Sequence, residues 1–106
     1  MVRVLSQTLL AACLLLPVSA AQAADCTAAI QKIIVQQLEI DSAKVVPGAK
    51  LVDDLMADEL DRIEIVMSLE EQFGVDIPDE VAEQLLTVAD VVAYVNKNAK
   101  NTKGCR

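Results

Sequence analysis

The chain has 106 residues, a formal net charge of −7 and no histidine. That length suits one small domain. The missing histidine excludes a histidine-assisted nucleophile, and the excess of acid repels nucleic-acid phosphates and anionic membranes.

Residues 1–23 read as a secretory signal peptide. Arg3 gives a positive start, Leu9 to Ala20 an apolar run broken by Pro17, and Ala21-Gln22-Ala23 a small-residue cleavage site. The run is too short for a comfortable membrane span. A buried N-terminal helix is the alternative. Leu10-Ala11-Ala12-Cys13 resembles a lipoprotein box only superficially, because the apolar run continues past Cys13. The mature domain is therefore expected at 24–106, exported to the periplasm or the medium and without a membrane span. Losing Arg3 takes the charge from −7 to −8.

Cys26 and Cys105 remain after cleavage. An even count in an exported chain favours one disulfide. Its loop-closure entropy is roughly 4–5 kcal/mol, a large contribution for so small a domain. Two cysteines without histidine make a poor zinc site, so no metal is expected there.

Thr27 is read as the cap of a first helix running to about Ile40, with Ile30, Ile33, Ile34 and Leu38 inward. From Asp41 to Ala57 the pattern breaks around the turn signal Pro47-Gly48. Val45, Val46, Leu51, Val52 and Leu55 suggest that this long loop packs on the core. The next helix is expected from Glu59 to Phe73, N-capped by Asp58 with Asp61 three residues on and stopped by Gly74. Val75 to Pro78 reads as extended, because a residue before proline avoids the helical region. Asp79 is expected to cap a short helix to about Leu86, and Thr87 a last one, with Asp90 three residues on and Val88, Val91, Val92 and Val95 inward. Lys97, Lys100 and Lys103 near its end complement the dipole of that helix, and Gly104 closes the chain.

The Glu59–Phe73 helix carries two apolar stripes on a wheel of about 100° per residue. Ile65, Val66, Leu69 and Phe73 form the core-facing one, with Arg62 beside them. Leu60, Ile63 and Met67 form the other, with Glu64 and Glu71 on one flank and Glu70 on the opposite flank. Between Asp53 and Glu83 there are twelve acids and one base, Arg62. An apolar strip rimmed by acids suits a partner with a basic patch. Burial of both stripes inside one bundle is the alternative.

The run Leu51-Val52-Asp53-Asp54-Leu55-Met56-Ala57-Asp58-Glu59-Leu60-Asp61, with Glu64, Met67, Leu69-Glu70-Glu71 and Ile77-Pro78-Asp79-Glu80, closely resembles the acyl carrier proteins from about Ala28 to Asn98. The resemblance implies an all-α fold, a small four-helix bundle with a long first loop and a short third helix. Its first and last helices run antiparallel, which brings Cys26 and Cys105 together. It also implies docking residues: Asp58, Asp61, Ile63, Glu64, Met67, Glu70 and Glu71. Two positions depart from the family. Met56 stands where the family usually has Gly, and Glu59 where it has the Ser that carries 4′-phosphopantetheine. A carboxylate cannot form that phosphodiester, and neither Ser42 nor Ser68 lies in the matched motif.

No catalytic constellation or calcium loop is found. The Asp53/Asp54 and Asp58/Asp61 pairs lack the glycine and glutamate spacing of an EF-hand, and Glu70/Glu71 point about 100° apart on a helix. Arg62 is expected to reach outward to Asp58; alternatively it meets the carboxylate of a free fatty acid in the acyl cavity. The expected protein is a non-enzymatic, monomeric module for protein or lipid binding, with no phosphopantetheine arm. The alternatives are a genuine carrier of fatty-acid or polyketide-type synthesis with an altered attachment site, and a structural subunit of a secreted complex.

Overall fold

The computed structural model describes residues 24–105. The segment assigned above to a signal peptide lies outside the described residues, as does Arg106. Four α-helices follow in order: α1 Thr27–Leu38, α2 Glu59–Phe73, α3 Asp79–Ala82 and α4 Val88–Asn98. The fold is all-α, as expected, with α1 packed on α2 and α4.

The helix ends follow from local chemistry. In α2, Asp58 accepts from the Asp61 N–H while Asp61 accepts from the Asp58 N–H, a reciprocal capping box. Gly74 ends the helix at φ 63°, a left-handed geometry that glycine adopts without penalty. Thr87 and Asp90 form the same box on α4. The start of α1 corrects the sequence reading: Cys26, not Thr27, occupies the cap position, and the Asp25 carboxylate accepts from the Thr27 N–H and hydroxyl. Those bonds, led by the hydroxyl, hold the Asp25 pKa below its usual 3.8. The helix stops at Leu38 instead of Ile40 because Glu39 turns left-handed at φ 56°.

Ile30, Ile34, Leu69, Phe73, Val91 and Val95 form the centre of the core. The long loop contributes Val45, Ala49, Leu51, Leu55 and Ala57 to it. A 3-10 turn, Ser42–Lys44, is capped by Asp41, and Gln31 of α1 donates to the Val45 carbonyl. Val46 and Val52, expected to face inward, are exposed, because each opens a turn (the Ala49 N–H donates to the Val46 carbonyl and the Met56 N–H to that of Val52) in which the preceding residue, Val45 or Leu51, takes the core position. The loop's far end is stitched to the start of α4: Leu51 donates to the Leu86 carbonyl, and Val88 to that of Ala49, around an isolated Lys50–Thr87 bridge.

The third helix is shorter than expected. It spans Asp79–Ala82, with Pro78 and not Asp79 at the cap position. It cannot reach Leu86, whose N–H is held by the Asp90 carboxylate and whose carbonyl is held by Leu51. The two ends of the domain are joined by a Cys26–Cys105 disulfide whose partners are 79 positions apart in the chain. Beneath it the tail closes α2, since the Lys100 and Asn101 N–H groups both donate to the Phe73 carbonyl.

Candidate functional site

Two features meet on α2. The first is its outer face, where Leu60, Ile63 and Met67 are 61%, 49% and 60% exposed. Three large apolar side chains at that helical spacing share one side, so the second stripe is a surface and not part of the bundle interior. The second feature is a cleft of about 460 Å³ between α2, α3 and the start of α4, lined by Val66, Leu69, Leu85 and Val91 among others. Its volume falls in the range of small-ligand sites.

The charged residues divide by geometry. Glu64 bonds Gln37 of α1, while Glu70 accepts from the Ile77 N–H at 3.0 Å and so ties α2 to the extended link. Asp58 and Asp61 serve the capping box. Glu71 is exposed and lines a shallow groove against α1 with Gln36 and Gln37. The seven residues assigned to docking therefore lie around one helix, with Ile63 and Met67 between an acidic flank at Glu64 and Glu71 and another at Glu70. Several of these acids also do structural work, which the sequence pattern does not reveal.

Arg62 corrects a second expectation. Its guanidinium donates to the Ala82 carbonyl at 3.3 Å, not to Asp58, whose carboxylate is turned to Asp61. The bond fastens α3 to α2 across the cleft. Arg62 does line the cleft, yet so do Glu59, Glu70, Asp79 and Glu83. Four carboxylates around one guanidinium give a net negative rim, which disfavours an anionic headgroup. A neutral acyl chain meets no such opposition.

Glu59 is the first residue of α2 and is exposed at the cleft's edge. A carboxylate suits the positive end of the helix. Among the described residues, no group of three or more His, Cys, Asp or Glu is placed to hold a metal ion, and no helix is long and apolar enough to cross a membrane.

A family model described as a phosphopantetheine attachment site matches residues 28–95. The chain belongs to the acyl carrier protein family. It is 50% identical over 72 residues to an acyl carrier protein of Rhodopseudomonas palustris (strain BisB18), covering 68% of this chain and 91% of that one. With an acyl carrier protein of Helicobacter pylori (strain G27) it shares 54% over 69 residues, 65% and 88% of the two chains. A solved structure of the acyl carrier protein from Enterococcus faecalis superposes with a TM-score of 0.61 at 36% identity, covering 69% of this chain and 92% of that one. The family is one of non-catalytic carriers, in keeping with the absence of a catalytic constellation in the sequence.

The prosthetic group that the family's name implies does not fit the residues present. The position that the motif assigns to attachment carries the Glu59 carboxylate, which has no hydroxyl to esterify. Ser68 sits in the middle of α2, in the groove against α1, and Ser42 in the 3-10 turn of the first loop. Neither stands at the start of α2. One residue escaped the sequence reading as a site candidate: Met56, 78% exposed at φ 61°. Its only sequence signal is its substitution for the family's usual glycine.

Proposed function

We propose that this protein is an exported acyl carrier protein homologue that works by docking, without a covalent arm. The observation that carries the reading is the exposed strip Leu60, Ile63 and Met67 between two acidic flanks, on the helix whose first residue is a glutamate in place of a serine. The partner is a protein with a basic patch around an apolar contact. Apolar burial supplies the affinity, and the charges supply orientation and encounter rate. The cleft gives room for a neutral acyl chain, held without a covalent bond. Affinity capture followed by quantified binding of the captured partner tests this. Ile63→Asp and the pair Glu64→Lys with Glu71→Lys should each abolish the interaction, and unchanged binding refutes the docking role.

A second reading is a genuine carrier of fatty-acid or polyketide-type synthesis. The comparisons favour it, because the matching family model is described as an attachment site and the relatives at about half identity are acyl carrier proteins. Glu59 alone stands against it. An intact mass of the native protein decides: an increment of one 4′-phosphopantetheine establishes the carrier, and an unmodified chain removes that reading and leaves docking to the binding test above. The same spectrum reports the cleavage site, and a second one after reduction reports the disulfide.

A further inference from the structure

Met56 combines two properties that local stability does not explain. Its backbone is left-handed at φ 61°, a region that costs a non-glycine residue energy, and its side chain is 78% exposed, so it gains little from packing. The geometry is imposed from both sides. The Met56 N–H donates to the Val52 carbonyl and the Ala57 N–H to that of Leu51, while Leu55 and Ala57 are anchored in the core. A glycine would satisfy the same hydrogen bonds without strain. Four residues on lies Leu60, so chain connectivity keeps the two Cα atoms within about 14 Å.

We propose that Met56 is an anchor of the docking surface, extending it from the outer face of α2 onto the end of the first loop. The inference rests on the docking role proposed above. The occupant is an amphipathic helix of a partner protein, whose apolar side meets Met56, Leu60, Ile63 and Met67 and whose flanking Lys or Arg residues meet the acids. Charge complementarity argues for the basic flanks: Asp53, Asp54 and Asp58 bracket Met56 in the chain, and Glu64, Glu70 and Glu71 flank the strip on α2; the apolar strip along one helix matches the apolar side of another. An unbranched, polarisable thioether adapts to an apolar groove better than a rigid side chain does, which suits Met at both ends of the strip.

The test uses a synthetic amphipathic Leu/Lys helical peptide, titrated against the disulfide-bonded protein by calorimetry. Met56→Gly removes both strain and side chain, and Met56→Gln keeps the chain length but not the apolar character. Affinity should fall roughly tenfold in each variant, with the melting temperature of Met56→Gly unchanged or raised. Wild-type affinity in both variants overturns the anchor role. If the pair Glu64→Lys with Glu71→Lys still abolishes binding in that case, the docking surface stands without Met56. A wild-type protein that does not bind the peptide overturns the helical occupant and the anchor together.

Discussion

Removing the Cys26–Cys105 bridge should strongly destabilise this domain. The partners are 79 residues apart, and the chain-entropy relation for a loop of that length gives about 4.5 kcal/mol at 25 °C. A domain of this size has a total stability of about 4–12 kcal/mol, so the bridge accounts for a large share of it. At about 4–8 °C per kcal/mol, the melting temperature should fall by roughly 20–35 °C. The native state loses contacts as well, because Cys26 is fully buried and the freed tail is the segment whose Lys100 and Asn101 N–H groups close the end of α2. Far-UV circular dichroism melts of the oxidised protein, the reduced protein and a Cys26→Ala, Cys105→Ala variant measure the loss directly. Hydrogen exchange should show the Lys100 and Asn101 amides opening before those of Leu69 or Val95. If reduced and double-variant proteins both melt within about 5 °C of the oxidised form, the loop-entropy argument is wrong for this chain.

Restoring the family residue with Glu59→Ser should let a phosphopantetheinyl transferase with coenzyme A load the arm, detected as a mass increment absent from the parent. The variant should lose only about 0.3–1 kcal/mol, the interaction of an acid with the helix N-terminus; failure to load means that the transferase does not recognise the surrounding surface. Gly74→Ala puts a Cβ into the left-handed stop of α2, 3.4 Å from the Lys100 Cβ, and should cost about 1–2 kcal/mol in urea unfolding. Thr87→Ala breaks the α4 capping box and should cost about 1 kcal/mol by the same assay. Because the Asp25 pKa is depressed, its contribution to stability is present above the usual 3.8 and disappears as the pH falls through the lowered value. Asp25→Asn should flatten that part of the acid-unfolding curve.

The parts of this fold that the sequence made legible are those decided by neighbours in the chain. Helix α2 has its expected bounds because Asp58 and Asp61 cap each other and Gly74 supplies the left-handed stop, all within hydrogen-bond reach along the backbone. The Thr87–Asp90 box on α4 was legible for the same reason. The end of α3 was not, because Leu51 and Asp90 take the backbone groups of Leu86 from outside the helix. Val46 and Val52 misled in the same way: apolar content says that a loop packs, but only the turns say which side chains face in. Arg62 could be placed on the core side of α2, yet its partner, the Ala82 carbonyl, lies 20 residues away and carries no side-chain signal.

The candidate site shows why one substitution can remove a chemistry while leaving its scaffold intact. The first position of a helix demands little of its residue beyond tolerance of the positive dipole, and glutamate meets that demand better than serine does. Glu59 is exposed at the cleft edge and is not part of the buried core. Folding therefore places no barrier against the exchange, and the neighbouring strip of Leu60, Ile63 and Met67 keeps its exposure on the same helix. Attachment requires one hydroxyl at one atom, whereas docking is distributed over a face. Loss of the first need not weaken the second. The strained, exposed Met56, four residues before Leu60, is not what a scaffold relieved of function requires, since glycine would hold the same backbone at lower cost. It fits the docking surface proposed above.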